Sequence, residues 1–337
     1  MEDVLSKRDQ LTGIDLAVGE PVYLQEQMDR FYGPVFAATT YRSQKGMHYP
    51  NLGGDQKLLD AIRAYMVGLH GGAPHHVVVT TGAKQALLAA CYALQTHGDY
   101  DSLYHRAPYW PSYPGIAELS GLEFVTDPDD RGSILAATAP NNPDGSELIS
   151  CGHLDILDAA YAHPVLYGST GLPKSRISVW SAAKLLGMSG SRIGWLCTDD
   201  KALAEFAATY VERTTSGVSR QSQTALVAML GLTPTKEYAK AVLAARASLV
   251  ENCKIFLKYT EEFLDVLEGA PVSHRGMFAF FAPTDVEKFE WALQKSEVRL
   301  VPGTACGGYL GWQRLNCGAS SLQLEFGLSK LRKAMRA

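Results

Sequence analysis

The stretch Ser181-Ala-Ala-Lys184-Leu-Leu-Gly-Met-Ser-Gly-Ser-Arg192-Ile-Gly-Trp195 places one lysine among small residues, with a serine three positions before it and an arginine eight positions after it. An exposed lysine has a pKa of ~10.4 and is a poor nucleophile at neutral pH, but desolvation or a neighbouring cation such as Arg192 lowers that pKa. Lys184 could then form an imine with an aldehyde. Ser181 and Arg192 would supply a hydroxyl and a fork of N–H donors to a phosphate. The stretch therefore indicates a site for pyridoxal 5′-phosphate (PLP), which carries both groups.

Two simpler interpretations of this stretch compete with a PLP site. A single lysine near glycines is most often a solvated loop residue, and that interpretation would be preferred if the stretch stood alone. The glycines at 187, 190 and 194 lack the G-x-G-x-x-G spacing of a dinucleotide turn, so a nicotinamide site has weak support. The other parts of a PLP site must therefore be sought elsewhere in the chain.

The composition limits the class of protein. With 337 residues, of which 46% are hydrophobic, the chain is long enough for a large core and two subdomains. The net charge is -4 and there is no basic run, so nucleic acid is not expected as a partner. No apolar region opens the chain and no stretch reaches ~18 apolar residues, so we expect a cytoplasmic protein without membrane spans. The six cysteines form no C-x-x-C pair and the nine histidines no H-E-x-x-H motif, so we expect neither disulfides nor a metal site.

A phosphate-binding turn is predicted where a buried strand meets a helix. The run His76-Val-Val-Val-Thr80 contains consecutive β-branched residues without alternation, which is typical of a strand buried on both faces. The turn Thr81-Gly82-Ala83 follows, and then a helix over about 85–94. Because the free N–H groups and the dipole of a helix N-terminus favour an anion, we expect the amides of Gly82 and Ala83 to bind the phosphate. An ordinary strand–helix turn is the common alternative.

A stiff aromatic loop follows a predicted strand at 102–105. The prolines of Ala107-Pro-Tyr109-Trp110-Pro fix the backbone, and stacking on a cofactor ring requires an aromatic face that is held in place. Trp110 is the preferred stacking residue and Tyr109 the alternative, while a purely structural core aromatic also fits the pattern.

A carboxylate and a phenol, Asp158 and Tyr161, lie three residues apart in the middle of the chain. A carboxylate beside a pyridine nitrogen keeps that nitrogen protonated, and the protonated ring then serves as an electron sink. The phenol can donate a hydrogen bond to the phenolic oxygen of the cofactor. An amphipathic helix over 154–161 is the structural alternative, and Asp155 is a second candidate for the carboxylate.

Taken in chain order, these segments resemble those of the fold-type I PLP-dependent enzymes, the aspartate aminotransferase superfamily. The positions that carry the resemblance are Tyr49, Thr81-Gly82, Trp110, Asn142, Asp158, Tyr161, Ser181, Lys184, Arg192 and Arg314. Within the superfamily the chain is most similar to the alliinase and tryptophan aminotransferase branch. That likeness rests on Asn141-Asn-Pro-Asp-Gly145, Asp158-Ala-Ala-Tyr161, Gly190-Ser-Arg-Ile-Gly-Trp195 and Gly217-Val-Ser-Arg-Gln-Ser-Gln223.

The resemblance implies further roles for individual residues. Asn142, which precedes a proline, would donate to the cofactor O3′ together with Tyr161. Arg314 would form a bidentate pair with the substrate α-carboxylate, and the backbone of Gly19 would meet the same group. Tyr49 would reach the phosphate of a neighbouring subunit, which implies a homodimer.

The chain also departs from the pattern of the superfamily. Ala183 stands where a serine is usual, which removes one hydroxyl near the phosphate. The interval from Asn142 to Asp158 is short, so a connecting helix is trimmed, and the whole chain is shorter than typical members.

The expected fold is α/β, of the PLP-dependent transferase type I. We predict a large domain with a mostly parallel, seven-stranded-type sheet over 41–232. A small α/β domain would combine the N-terminal segment 1–40 with residues 233–337. In the C-terminal part we predict a long helix, a strand, a second helix and a second strand, over 235–268, 277–282, 285–295 and 298–301.

The expected activity begins with displacement of the Lys184 imine by a substrate amine, after which Lys184 moves a proton as general acid and base. Transfer of the amino group from an L-amino acid to a 2-oxo acid is the preferred reaction. β-Elimination and α-decarboxylation begin in the same way and stay open, as does a non-catalytic protein of the same fold. The substrate would be a small amino acid or an amino-acyl group on a larger molecule.

Overall fold

The computed structural model describes residues 13–37, 39, 48–127, 132–147, 153–169, 172–264 and 275–337. Its strands are β1 (Ile14–Asp15), β2 (His76–Thr80), β3 (Ser102–Tyr104), β4 (Glu123–Val125), β5 (Ser133–Thr138), β6 (Ile156–Asp158), β7 (Ile177–Ser181), β8 (Gly194–Thr198), β9 (Phe278–Phe281), β10 (Val298–Arg299), β11 (Val301–Pro302) and β12 (Gln313–Asn316). Its helices are α1 (Val22–Ala37), α2 (Gln56–His70), α3 (Gly82–His97), α4 (Tyr113–Leu119), α5 (Pro164–Tyr167), α6 (Ala182–Leu185), α7 (Lys201–Thr215), α8 (Arg220–Leu232), α9 (Lys236–Thr260), α10 (Val286–Ser296) and α11 (Ser321–Arg336).

A seven-stranded sheet in the order β2-β8-β7-β6-β5-β3-β4 forms the centre of the molecule. All neighbours are parallel except β8, which runs antiparallel to both β2 and β7. Helix α3 packs on β7 and β8, and the paired residues Trp180 and Trp195 are both buried. The apolar runs of these strands are continuous because helices cover the sheet. The expected fold class, with its mostly parallel seven-stranded sheet, is therefore confirmed.

Two small sheets are built from the two ends of the chain. Strands β11, β12 and β9 form an antiparallel sheet, and β1 pairs in parallel with β10. Helix α9 packs against α1 near the N-terminus and against α11 near the C-terminus. These contacts join the segments that the sequence assigns to the small domain, while its boundaries at 40 and 232 stay a prediction.

Several predicted elements differ from the structure at their ends. Helix α3 begins at Gly82 rather than at 85, and helix α9 ends at Thr260, where a 3-10 turn follows, with 265–268 outside the described residues. The predicted strand at 298–301 is split, because β10 pairs with β1 while β11 pairs with β12. The sequence patterns do not predict helix α1.

The segment 154–161 contains strand β6 and not the alternative amphipathic helix. Its periodicity is ambiguous because a fully buried strand and a buried helix both present continuous apolar residues. Pairing with β5 and β7 on its two sides settles the conformation.

In the part of the chain that the structure describes, no helix combines the length and apolarity needed to cross a membrane. The same residues contain no group of three or more His, Cys, Asp or Glu side chains that could hold a metal ion.

Candidate active site

A cavity of about 280 Å³ lies where β5, β6 and β7 end. Ligands in open α/β sheets bind outside the carboxyl ends of the parallel strands, because loops and helix N-termini converge there. The residues predicted for the site that line the cavity are Gly19, Ala83, Trp110, Asn142, Asp158, Tyr161, Ser181, Lys184, Arg192 and Arg314. Residues from both ends of the chain therefore meet at one site.

Lys184 lies on the one-turn helix α6, directly after β7. Its Nζ donates a hydrogen bond to the backbone carbonyl of Gly19. Burial, assisted by the positive charges of Arg192 and Arg314, lowers the pKa of Lys184 to about 8, although Glu20 opposes the shift. A neutral amine is therefore accessible near neutral pH, which a nucleophilic lysine needs.

Asp158 ends strand β6 and is only 4% exposed. Its Oδ1 accepts a hydrogen bond from the backbone N–H of Ala160 at 3.1 Å, and this bond and the Tyr113 hydroxyl both act to lower the pKa of the carboxyl. Burial is the largest cause that raises the pKa of Asp158 to about 6. The carboxyl is therefore costly to ionise unless a positive group meets it in the cavity.

Asn142, Tyr161 and Arg314 form a hydrogen-bonded group on another wall. Arg314 Nη1 donates to Asn142 Oδ1 at 2.9 Å, and Asn142 Nδ2 donates to the Tyr161 hydroxyl at 3.3 Å. Arg314 Nη2 donates to the carbonyl of Ala17 at 2.9 Å, and the guanidinium lies 4.5 Å from the centre of the Phe278 ring. Arg314 Nε is buried without a hydrogen-bond partner in the described residues. Since each Nη also carries a second hydrogen, the guanidinium can still bind an anion.

A positively charged part of the cavity wall is built from the start of α3 and from Arg192. Gly82 has φ +76°, and a Cβ placed on it would lie 2.9 Å from Nη2 of Arg192. Gly82 therefore lies directly behind the guanidinium and is not among the lining residues, while the next residue, Ala83, is. Ser181 is buried at the end of β7 and makes no side-chain cap to α6, so its hydroxyl is available to a ligand.

Trp110 is the aromatic residue of the cavity. The amine of Lys84, another lining residue, lies 5.3 Å from the centre of its ring. The alternative, Tyr109, packs edge-on against Phe124 at 4.8 Å and does not line the cavity. The structure thus places Trp110, and not Tyr109, where a ring could stack.

Two other candidates lie away from the cavity. Tyr49 is 82% exposed, and Arg220 holds its segment by donating to the Tyr49 carbonyl at 2.8 Å. Asp155 precedes β6, accepts from the Leu135 amide at 3.0 Å and pairs with Arg176 at 3.4 Å. Asp155 and Asp158 therefore lie at opposite ends of one short strand.

The sequence interpretation missed several lining residues: Val18, Glu20, Lys84, Thr138, Ala160, Ser189 and Phe278. Glu20 directly follows the predicted Gly19, and Lys84 follows the predicted phosphate turn, so their neighbours gave a usable signal. No such signal pointed to Phe278, because this residue lies in β9, far from the lysine motif in the chain.

The side chains that line this cavity fit PLP. The cavity offers an amine of lowered pKa to the aldehyde, a buried carboxyl to the pyridine nitrogen, and an indole to the ring. A hydroxyl, a guanidinium and the start of α3 suit the phosphate. The substitution at Ala183 leaves Ser181 and Ser189 as the serines of the cavity.

Known proteins are similar in sequence to parts of this chain. Tryptophan aminotransferase-related protein 2 of Arabidopsis thaliana is 35% identical over 160 residues, which cover 44% of this chain and 36% of that protein. A bifunctional aspartate aminotransferase and glutamate/aspartate-prephenate aminotransferase of Petunia hybrida is 27% identical over 319 residues, covering 78% of this chain and 64% of that protein. The chain spans about a third of the length of the tryptophan aminotransferase-related proteins that it matches.

Solved structures share the fold. A double mutant of Thermus thermophilus aspartate aminotransferase has a TM-score of 0.74 at 21% identity, with 97% of this chain and 93% of that chain covered. The family model described as Allinase matches residues 55–241, more than half of this chain. The chain therefore belongs to the allinase family, within the fold-type I PLP-dependent aminotransferase superfamily.

Proposed function

We propose that the protein is a PLP-dependent aminotransferase that acts on an amino acid through Lys184. The observation that carries this proposal is the Lys184 amine, with its pKa lowered to about 8, in one cavity with Asp158 and Arg314. The names of the Arabidopsis and Petunia relatives support the same activity.

Different walls of the cavity would hold different parts of the cofactor. PLP, when bound, supplies an electron sink for the bonds at the substrate Cα. Asp158 provides the negative charge that keeps the ring nitrogen protonated, and Asn142 and Tyr161 donate to O3′. Trp110 packs on the ring. Ser181, Arg192 and the backbone of Ala83 would bind the phosphate, and Gly82 lies behind Arg192.

Arg314 and Lys184 act on the substrate. The N–H groups of Arg314 that have no protein partner bind the α-carboxylate, and Gly19 closes that side of the cavity. Lys184 Nζ takes the proton from the substrate Cα and later returns a proton as a general acid. Its lowered pKa suits both tasks, because the neutral and charged forms are then close in free energy near pH 8.

Cofactor attachment tests the proposal directly. We expect the purified protein to bind PLP with a visible absorbance, borohydride to fix the cofactor on Lys184, and Lys184→Ala to lose both properties. An amino-acid half-reaction should leave the cofactor in its amine form and release a 2-oxo acid. Regeneration of the starting spectrum with loss of a side-chain fragment or of carbon dioxide would instead identify a lyase or decarboxylase. A wild-type protein that never binds PLP would refute the proposal.

We further propose a homodimer in which Tyr49 serves the neighbouring site. The exposure of the Tyr49 and Leu52 side chains on a segment held by Arg220 supports this arrangement. Mixing Tyr49→Ala with Lys184→Ala subunits should restore about a quarter of wild-type activity, since each hybrid dimer regains one complete site. A monomer in sedimentation, or a mixture without regained activity, would contradict the proposal.

A cytoplasmic location is also a proposal. It is supported by the scattered cysteines, since Cys91, Cys197, Cys253, Cys306 and Cys317 form no disulfide among the described residues. Fractionation of cells that express the tagged chain would test it, and recovery in a secreted fraction would contradict it.

A further inference from the structure

Ser189 lines the cavity, and its hydroxyl has no task in the reaction proposed for Lys184. The Ser189 Oγ is buried and has no hydrogen-bond partner in the part of the chain that the structure describes. A buried hydroxyl without a partner is unfavourable, and most such atoms in folded proteins are satisfied by the protein, by water or by a ligand. The unsatisfied Oγ therefore marks a place where a ligand of this cavity can form a hydrogen bond.

The backbone of Ser189 holds the guanidinium of Arg192. The Ser189 carbonyl accepts a hydrogen bond from Nη1 of Arg192 at 3.1 Å and from the Arg192 amide at 3.4 Å. Ser189 begins a short 3-10 turn, and the residues on either side of the segment, Met188 and Ile193, are buried. The Ser189 hydroxyl and the Arg192 guanidinium therefore keep a fixed position relative to each other at the cavity wall.

The start of α3 lies on the other side of this guanidinium. A Cβ placed on Gly82 would lie 2.9 Å from Nη2, whereas Nη1 is bound by Ser189. A Cβ placed on Gly194 would lie 3.1 Å from the Ala83 nitrogen, and Gly194 pairs with Ser181 in the sheet. Four groups are thus brought together along one part of the wall: the Ser181 hydroxyl, the Ala83 amide, the Arg192 guanidinium and the Ser189 hydroxyl.

All four groups can donate a hydrogen bond, so together they suit an anion that has several acceptor oxygens. The two carboxyl groups of the cavity have other partners, since Gln25 Nε2 donates to Glu20 and the Ala160 amide donates to Asp158. A phosphate monoester has three terminal oxygens and a charge near -2 at neutral pH. Such a group can accept hydrogen bonds from all four donors at once.

We propose that the Ser189 hydroxyl donates a hydrogen bond to the bound phosphate group, which in the complete protein is the phosphate of PLP. This inference rests on the proposed function, because it requires a phosphorylated cofactor in the cavity. The hydroxyl of Ser191, in the same turn, has no such role, since Ser191 lines a different surface cavity.

A comparison of PLP with pyridoxal, which lacks the phosphate, tests the role of Ser189. Ser189→Ala should bind PLP ~10-fold more weakly, the loss typical of one hydrogen bond to a charged group, and should bind pyridoxal as the wild-type protein does. Ser191→Ala is the matched control and should bind both compounds like the wild type. Fluorescence titration of the apo-protein measures each affinity. Unchanged PLP affinity in Ser189→Ala, or equal losses for PLP and pyridoxal, would overturn the inference.

Inorganic phosphate provides a measurement that does not depend on the cofactor. Phosphorus-31 spectra should show saturable binding of phosphate to the wild-type apo-protein, weaker binding to Ser189→Ala by a similar factor, and unchanged binding to Ser191→Ala. An apo-protein that binds phosphate equally well without the Ser189 hydroxyl, or that binds none, would overturn the inference. A wild-type protein that never binds PLP would refute the proposed function, and the phosphate titration would still decide the role of Ser189.

Discussion

Lys184 and Asp158 have opposite charges when ionised, and the cavity favours the neutral form of each. Burial lowers the pKa of the amine to about 8 and raises that of the carboxyl to about 6. Neither group is neutralised by the other in the described structure, since Lys184 donates to the Gly19 carbonyl and Asp158 accepts from the Ala160 amide. Both are therefore poised to gain a partner when a ligand enters.

Glu20 is the residue that limits the shift of Lys184. Because its negative charge raises the pKa of Lys184, Glu20→Gln should lower that pKa further below 8. The neutral fraction at pH 7 should then increase, and the apo-protein should capture PLP up to ~10-fold faster, the change per pKa unit. The pH profile of cofactor capture, followed by visible absorbance, measures this effect.

The surface substitution Glu26→Gln, on the same N-terminal segment, serves as the control for Glu20 and should leave the profile unchanged. An unshifted midpoint in Glu20→Gln would show that its charge does not reach the amine.

At the scale of elements, the cavity exists because three parallel strands end beside the start of α3. Asp158 ends β6, Ser181 ends β7, and the turn at Gly82 begins α3. The backbone at Gly82 is left-handed, and a Cβ placed on it would meet Arg192. A glycine is thus needed both for the turn and for the position of the guanidinium.

Gly82→Ala should weaken the phosphate site. The left-handed backbone disfavours alanine by ~1–2 kcal/mol, and the Cβ would displace Arg192, so we expect roughly tenfold weaker PLP binding. Fluorescence titration of the apo-protein with PLP measures the affinity.

Gly231→Ala is the matched control for Gly82. Gly231 lies inside α8, and a Cβ added to it would have no atom within 4 Å apart from its chain neighbours and the backbone of its own helix. This substitution should raise the free energy of unfolding by ~0.5–1 kcal/mol without changing PLP affinity. Equal PLP affinity of Gly82→Ala and the wild-type protein would contradict the role of this turn.

At the scale of the whole molecule, the buried Asp158 carboxyl lowers the free energy of unfolding once it is ionised. Asp158 has a folded pKa of about 6, above its ordinary 3.8, so the folded protein binds more protons than the unfolded chain between these values. The free energy of unfolding should therefore fall as the pH rises through this window. The shift corresponds to ~3 kcal/mol once Asp158 is ionised.

Asp158→Asn should accordingly stabilise the apo-protein. We expect its free energy of unfolding to exceed that of the wild type by up to ~3 kcal/mol above pH 7, with the difference vanishing below pH 4. Urea denaturation at several pH values measures both quantities.

The control substitution Asp155→Asn, three residues away, should change the stability in the opposite direction. Asp155 accepts from the Leu135 amide and pairs with Arg176, so its replacement should destabilise the protein. A stabilising Asp155→Asn, or an Asp158→Asn that destabilises at pH 8, would contradict this account of the site.

The sequence by itself determined the fold class and most of the cavity, because those signals are local. The turn at Gly82, the strand before Asp158 and the small residues around Lys184 each follow from neighbouring residues in the chain. The lysine motif and the succession of strands and helices around it can therefore be identified from the sequence alone.

Tertiary structure alone decided what depends on distant segments. It decided that Asp158 and Trp110 line the cavity while Asp155 and Tyr109 do not. Burial and pairing with other strands, and not the local sequence pattern, set those positions. It also brought Glu20 and Phe278 into the cavity. Such contacts join residues that are far apart in the chain, so no period or spacing in the sequence encodes them.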